Sequence, residues 1–411
     1  MNRWLMKSLL LILSVQSFSY AVVLQNADVV YVKKNCTSID NCFQTTGELT
    51  EWAWGTSTGV NHRIPKPNAN SRLLVNIDSG VFGQIKCNNL DLNTKMGFTT
   101  FSGTGKGSTF LTEDTKPVTI NINNCTELKF SHMTIEHTSN AMINKSIVWT
   151  GDGNSVWDNV EVINTSRNPN STNYAWYDLK CDASKEGNTH FWFGSTIKAA
   201  ARNGTRAYKS NCGETWFYGG LIETYFDSNS LSPVAVVGIE TVRGDVRVFG
   251  STLRVYIPPE GILSDISGLS AFVGVSNSGT FHMHGGIISV DASLIAGSFD
   301  VVGLISQNGV GAHTPGTAFT VKPPISGKSI RAIGATAKSP FLWPPGSNLP
   351  VNQSITGADI FIETDCDAQG YCEGDGLQSH MMIYNDTECV IEKWFDTRVN
   401  KCRKTGSNPN M

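Results

Sequence analysis

The chain has 411 residues, of which 40% are hydrophobic and only 16% charged, and its formal net charge is −3. A charged share of about 25% is usual for soluble domains. The hydrophobic share excludes a disordered chain. The near balance of acids and bases provides no basic surface of the kind that binds nucleic acid. The length fits two or three average domains or one elongated repeat domain.

The first 21 residues have the pattern of a secretory signal peptide. Arg3 and Lys7 supply a basic start, an apolar stretch runs from residue 5 to residue 15, and Ser19 and Ala21 mark a cleavage site. The apolar stretch is too short to cross a bilayer, and no later segment reaches about 18 apolar residues. We therefore expect a protein without a membrane span that is secreted to the extracellular space or the periplasm.

All ten cysteines follow the expected cleavage site, which is typical of disulfides in an exported protein. No Cys-x-x-Cys pair or Cys/His cluster has the spacing of a zinc site, so the sequence favours disulfides over a structural metal. Pairing of neighbours along the chain predicts five bridges: Cys36–Cys42, Cys87–Cys125, Cys181–Cys212, Cys366–Cys372 and Cys389–Cys402.

The tail contains one acidic segment that resembles the start of a calcium loop. It carries Asp365, Asp367 and Glu373, but the terminal glutamate that completes such a loop is missing. We expect a disulfide turn here and no cofactor, with Ca²⁺ as the alternative.

A repeat organises the middle of the chain. Apolar anchor residues recur at intervals of roughly 25 to 35 residues. They are Phe130, Trp157, Trp192, Phe217, Val248 and Met283. Two positions after four of the anchors comes a glycine (Gly194, Gly219, Gly250 or Gly285), which indicates a tight bend. Around these bends the hydrophobic period is two, so the repeat predicts short strands stacked into a solenoid.

Short strands, a fixed corner and a repeat of this length resemble the right-handed parallel β-helices of the pectate-lyase-like superfamily. The resemblance is one of architecture, and it implies an all-β fold. The predicted divisions are a signal peptide (1–21), an N-terminal cap (22–75), a parallel β-helix (76–321) and a Cys-containing C-terminal cap (322–411). Caps are expected because the end coils of a solenoid otherwise leave open edges.

The catalytic motifs of enzymes with this fold are not found in order. Ser155-Val-Trp157-Asp158-Asn159 resembles a Trp-x-Asp-His stretch, but its spacing is shortened and its histidine is absent. Asp158 is therefore expected to be an exposed polar residue at a strand end. Whether the protein is an enzyme stays open; an enzymatic function would be that of a polysaccharide lyase or a glycoside hydrolase.

Aligning the repeats places charged residues in one outward column. Six residues past the anchor the column contains Glu136, Ile163, Lys198, Glu223, Arg254 and Ser289. One interpretation is a groove for an acidic polysaccharide in which Lys198, Glu223 and Arg254 are catalytic. Tyr225 and Tyr256, two positions further on, would stack on the sugar rings. The alternative is a surface row of salt bridges that contributes little energy.

Two aromatic triples, Phe191-Trp192-Phe193 and Trp216-Phe217-Tyr218, lie on adjacent coils. Because alternate residues of a strand face opposite sides, three consecutive aromatic residues cannot all be buried. Outward rings would form a platform for sugar rings, unless a cap or loop covers them. The predicted binding residues on this platform are Trp192, Trp216, Tyr218, His282 and His284.

The sequence thus favours a secreted β-helix that recognises an extracellular, acidic polysaccharide. If it also cleaves this polymer, β-elimination is the expected reaction, because no pair of carboxylates emerges at the spacing of a glycosidase. The competing hypothesis is a non-catalytic surface, adhesion or structural solenoid, which the lack of a complete catalytic set favours.

Overall fold

A computed structural model describes most of the chain from residue 28 to residue 336 and four short strands after it. The described residues are 28–36, 41–54, 72–88, 98–123, 125, 127–151, 153–180, 188–230, 233–258, 269, 271–292, 294, 301–307, 312–313, 317–322, 330–336, 358–362, 374–377, 393–396 and 401–404. The predicted signal peptide and the acidic tail segment around Asp365 lie outside these ranges.

The described elements are one helix and a long series of short strands. In chain order they are β1 (Asp28–Val32), β2 (Cys42–Phe43), α1 (Thr46–Trp54), β3 (Leu73–Ile77), β4 (Gly80–Phe82), β5 (Ile85–Asn88), β6 (Thr99–Ser102), β7 (Thr109–Glu113), β8 (Val118–Asn123), β9 (Leu128–Ser131), β10 (Thr134–His137), β11 (Ile143–Thr150), β12 (Asn154–Asp158), β13 (Glu161–Asn164), β14 (Thr172–Lys180), β15 (Thr189–Phe193), β16 (Thr196–Ala200), β17 (Gly204–Ser210), β18 (Glu214–Tyr218), β19 (Leu221–Tyr225), β20 (Ala235–Thr241), β21 (Asp245–Phe249), β22 (Thr252–Tyr256), β23 (Ala271–Asn277), β24 (Thr280–His284), β25 (Ile287–Asp291), β26 (Val301–Gln307), β27 (Ala312–His313), β28 (Thr317–Lys322), β29 (Ile330–Thr336), β30 (Ala358–Ile362), β31 (Gly374–Leu377), β32 (Lys393–Asp396) and β33 (Lys401–Lys404).

The strands form three long sheets that run side by side along the molecule. Sheet 1 has the order β2-β1-β3-β6-β9-β12-β15-β18-β21-β24-β27, sheet 2 the order β31-β30-β28-β25-β22-β19-β16-β13-β10-β7-β4, and sheet 3 the order β29-β26-β23-β20-β17-β14-β11-β8-β5. One turn of the chain, such as β15 to β17, supplies one strand to each sheet, and the next turn pairs with it in parallel. The fold is therefore an all-β parallel β-solenoid, as the repeat predicted.

The register of the strands confirms the alignment of the repeats. Trp157 pairs with Trp192, Trp192 with Phe217 and Phe217 with Val248 in sheet 1. In sheet 2 the aliphatic residue five positions after each anchor forms a second column, in which Ile197 pairs with Ile222. Both columns face the core and are almost completely buried.

The corner between sheets 1 and 2 is built on left-handed residues. The glycines two positions after the anchors have positive φ angles, 52° at Gly194 and 69° at Gly219. Two earlier turns use His132 and Asn159 at the same corner, with φ of 55° and 52°. Residues with a Cβ rarely adopt this backbone conformation, which explains why glycine recurs here.

Stacked aromatic rings fill the core under sheet 1. The centroid of Phe130 lies 4.8 Å from that of Phe101 and 4.4 Å from that of Trp157, and Trp192 continues the stack 5.0 Å from Trp157. Phe217 follows at 5.8 Å. The strand spacing of roughly 4.8 Å brings equivalent rings into contact, so each turn of the solenoid stabilises the next.

The two ends of the solenoid extend past the predicted limits. β1 and β2, within the predicted N-terminal cap, pair in sheet 1, and the predicted boundary at residue 76 falls inside β3. At the C-terminal end of the solenoid, β29 continues sheet 3 and β30 continues sheet 2 beyond residue 321. α1 packs on β5, and the Thr45 hydroxyl caps its first turn by accepting a hydrogen bond from the Glu48 N–H at 3.1 Å.

Two of the predicted disulfides are confirmed near the N-terminal end, Cys36–Cys42 and Cys87–Cys125. Cys212 is also disulfide-bonded. Each of the other predicted bridges, Cys181–Cys212, Cys366–Cys372 and Cys389–Cys402, includes at least one cysteine outside the described residues. Among the helices of the described residues, none has the length and apolar character needed to cross a membrane.

Candidate functional site

The outward face of sheet 1 carries the most distinctive surface of the described chain. In β15 and β18 the middle residues of the aromatic triples, Trp192 and Phe217, point into the core. Their neighbours Phe191, Phe193 and Tyr218 are only partly buried and point outward, as does Trp216. The flanking pairs, rather than the middle residues, therefore form the outer face.

Register extends these rings into two adjacent columns along the solenoid. The column nearer the corner contains Asp158, Phe193, Tyr218, Phe249 and His284. The other contains Val156, Phe191, Trp216, Arg247 and His282. We call the six rings Phe191, Phe193, Trp216, Tyr218, Phe249 and His284 the aromatic ladder.

Rings of the ladder overlap one another along the corner column. Centroids are 5.2 Å apart for Phe193 and Tyr218, 5.2 Å for Tyr218 and Phe249, and 5.1 Å for Phe249 and His284, and interplanar angles are 6° to 10°. Parallel rings in full face-to-face contact would be about 3.5–4.0 Å apart. The observed separations are close to the strand spacing of about 4.8 Å, so the rings stack from turn to turn along the solenoid.

The second column continues this apolar surface and adds a cation. Trp216 is 6.4 Å from Phe191 and 5.9 Å from Phe249, measured between centroids. The guanidinium carbon of Arg247 lies 4.4 Å from the Trp216 ring centroid, a cation–π contact. The ladder is thus one continuous surface rather than separate exposed rings.

Charged side chains around the ladder are arranged in opposite-sign pairs. Lys129 Nζ lies 3.4 Å from Asp158 Oδ2. Arg247 donates from Nε to Asp245 Oδ2 at 3.0 Å and lies 3.9 Å from Glu214. The hydrogen bond to Asp245 raises the pKa of Arg247, against a lowering effect of burial. Each of these cations is therefore paired with a carboxylate, and the face has no excess positive charge.

Comparison of the chain with protein-family models, curated proteins and solved structures gave no match. The resemblance to the pectate-lyase-like superfamily therefore stands at the level of architecture, a parallel β-solenoid. The chemistry of the site follows from its own residues.

Of the predicted platform residues, Trp192 is placed differently from the rest. Its side chain is 0% exposed and belongs to the core stack, so its ring cannot contact a ligand on the surface. Trp216, Tyr218, His282 and His284 do face outward. The predicted binding residues did not include Phe191, Phe193 and Phe249, although the alternation on either side of the buried anchors indicates that they face outward.

The predicted charged row exists on sheet 2. Lys198 pairs in register with Glu223, and Glu223 with Arg254. Tyr225 and Tyr256 form the second predicted column, which continues to Asp291. The column assignment from the sequence is therefore confirmed by the strand register.

The environment of this row differs from that of an open groove. Glu223 is only 5% exposed, and Lys198 Nζ forms its ion pair with Glu161 Oε1 at 3.1 Å. Arg254 stacks over the Tyr256 ring at 4.3 Å. Burial raises the pKa of Tyr225, so its phenol stays protonated and is a poor base. These contacts favour a structural role for the row.

Replacing Lys198 with methionine tests that role. The ion pair with Glu161 is partly exposed, so we expect the free energy of unfolding to fall by at most about 1 kcal/mol. Urea denaturation of the variant and the wild type measures the difference. A loss well above this value would contradict a surface ion-pair row.

A serine–histidine pair in the interior is structural rather than catalytic. Ser155 Oγ lies 2.7 Å from His190 Nδ1 and accepts a hydrogen bond from Trp157 Nε1 at 2.7 Å. The His190 ring lies edge-on to Trp149 and Trp176, with centroids 4.8 Å apart in each pair. Burial lowers the pKa of His190 to about 3, so the ring is neutral. Both residues are at most 1% exposed, which keeps any substrate away from the hydroxyl.

Proposed function

We propose that the protein is a glycan-binding β-solenoid that holds an uncharged sugar chain along the aromatic ladder of sheet 1. The observation that carries the proposal is the continuous outward surface of overlapping rings on successive turns. The disulfides and the signal-like N-terminus support an extracellular or periplasmic setting, where such glycans occur.

The ladder suits a sugar chain because it combines apolar and polar surface in parallel rows. Sugar C–H groups pack on aromatic rings, while hydroxyl groups need hydrogen-bond partners. Beside the ladder, the first residues of the same strands form a polar column: Asn154, Thr189, Glu214, Asp245 and Thr280. This column supplies donors and acceptors at intervals set by the strand spacing.

Charge favours an uncharged glycan over an acidic one at this face. Lys129 and Arg247 already contact carboxylates, so an incoming anion would compete with Asp158 and Asp245. Desolvating these pairs for a charged ligand would cost more than contacting hydroxyl groups.

The same geometry favours binding without cleavage. The predicted catalytic residues lie on sheet 2, and Glu223 is shielded from solvent there. A lyase needs its base and its cations at the bound sugar, within hydrogen-bond reach of the reacting atoms. We therefore expect retention of neutral glycans without release of unsaturated products.

The test is binding of a panel of neutral polysaccharides to the wild type and to Trp216→Ala. Removing the central ring of the ladder should weaken binding about tenfold or more. Tyr256→Ala, an aromatic change on sheet 2, is the matched control and should leave the affinity unchanged. Equal losses in both variants, or no binding by the wild type, would refute the proposal, and release of unsaturated sugars would replace it with the lyase function.

A further inference from the structure

The outer face of sheet 3 carries a second cluster of cations and tyrosines, which the sequence analysis did not identify. Lys145 of β11 pairs with Tyr174 of β14, which pairs with Arg206 of β17. In the neighbouring column, Tyr177 pairs with Lys209, and Lys209 with Glu240 of β20. We call the six residues Lys145, Tyr174, Tyr177, Arg206, Lys209 and Glu240 the sheet 3 cluster.

The tyrosines occupy the centre of the cluster and the cations surround them. Lys145 Nζ lies 4.4 Å and Lys209 Nζ 5.9 Å from the Tyr177 ring centroid. The rings of Tyr174 and Tyr177 are 4.6 Å apart. The strands on either side of β14, β11 and β17, thus hold positive charges next to the tyrosines.

Charge in the cluster is unbalanced, unlike that around the aromatic ladder. Glu240 Oε2 accepts from Arg206 Nε at 3.0 Å and contacts Lys209 Nζ at 2.8 Å. One carboxylate therefore faces three cations, which leaves two formal positive charges on this patch. The whole chain carries a net charge of −3, so the excess is local and not a general property of the protein.

Partial burial strengthens the electrostatic interactions of these side chains and still leaves them accessible to a ligand. The side chains of Arg206, Lys209 and Glu240 are 17% to 20% exposed. Burial lowers the pKa of Lys145 and raises that of Tyr174, which shows that both lie in a partly desolvated environment. In such an environment, charge-assisted hydrogen bonds to an anion are stronger than in water.

We propose that the sheet 3 cluster binds an oxyanion, a sulfate or carboxylate group, through the ammonium of Lys145, the guanidinium of Arg206 and the tyrosine hydroxyls. Lys145 and Arg206 flank Tyr174 on the two neighbouring strands, at a spacing of about 4.8 Å on each side. An anion that accepts a hydrogen bond from the Tyr174 hydroxyl would therefore lie between the two cations. This site lies on a different sheet from the ladder and binds a charged ligand, whereas the ladder binds an uncharged one.

The experiment compares dextran, dextran sulfate, carboxymethyl dextran and inorganic sulfate by calorimetry. These probes share one polymer backbone or one anionic group, so they separate a polymer-borne sulfate, a polymer-borne carboxylate and the free ion. The expected result is binding of at least one anionic probe, weakened as the salt concentration rises. Lys145→Met should weaken that binding about tenfold, and Tyr177→Phe, which keeps the ring and removes the hydroxyl, should weaken it less.

Lys198→Met on sheet 2 is the matched control, because it changes the net charge equally and should leave anion binding unchanged. Trp216→Ala separates this site from the ladder, since it should weaken neutral-glycan binding and leave anion binding intact. Failure of every anionic probe to bind would overturn the proposal, as would equal losses in the Lys145 and Lys198 variants. Neither result would bear on the ladder.

Discussion

Replacing Trp192 with alanine should lower the free energy of unfolding by about 3–5 kcal/mol. The ring is 0% exposed and stacks between Trp157, at 5.0 Å, and Phe217, at 5.8 Å. Truncation leaves a cavity in the core column that neighbouring turns cannot fill, because strand pairing fixes their spacing. Urea denaturation followed by circular dichroism measures the loss.

Trp216→Ala on the next turn of sheet 1 is the matched control. This tryptophan faces outward and is partly exposed, so we expect a loss of about 1 kcal/mol in stability. Its main effect should be on glycan binding, whereas Trp192→Ala should affect binding only through the folded fraction. Equal destabilisation of the two variants would contradict the assignment of Trp192 to the core and Trp216 to the surface.

Two of the three sheets were predictable from the sequence because most of their strands alternate between buried and more exposed residues. In sheets 1 and 2 the inward residues, such as Trp192 and Ile197, recur at fixed distances on either side of a two-residue corner. The corner keeps its length from turn to turn, so the repeats can be aligned without gaps. The alternation within strands and the glycines at the corner were therefore sufficient to predict sheets 1 and 2.

Sheet 3 was not predicted because its strands break the alternation. Strands β14 and β17, for example, each bury two consecutive residues in mid-strand, a small one followed by a large one, in Ala175-Trp176 and Ala207-Tyr208. The same pattern continues in Gly238-Ile239. A hydrophobic period of two is therefore lost, and the segments before these strands differ in length. The cations of the sheet 3 cluster lie on these strands, so the alignment of the repeats did not place them in one column.

The burial of Trp192 could be predicted from the sequence. It occupies the anchor column with Phe130 and Trp157, and an apolar anchor repeated on every turn indicates the core. The residues on either side of it, Phe191 and Phe193, then face outward by alternation. What the sequence could not supply was the mutual overlap of the outer rings, which depends on side-chain rotamers.

A buried carboxyl group makes the stability of the solenoid depend on pH. Asp178 of β14 is 1% exposed. Burial raises its pKa to about 7, although the nearby Asn188 side chain and Cys212 backbone act in the opposite direction. In the unfolded chain its pKa is about 3.9. The native state therefore binds this proton more tightly, and the contribution of Asp178 to stability falls as the pH rises from about 4 to about 7.

Asp178→Asn should remove this dependence because the amide has the shape of the protonated acid and does not ionise. A pKa difference of about 3 units corresponds to about 4 kcal/mol, so the variant should be more stable than the wild type by up to that amount at pH 8. At pH 4 the two proteins should be nearly equal. The measurement is urea denaturation at both pH values, and taking the difference between proteins cancels other titrating groups, such as His190. A stability difference for Asp178→Asn that stays constant between pH 4 and pH 8 would refute the buried, protonated carboxyl.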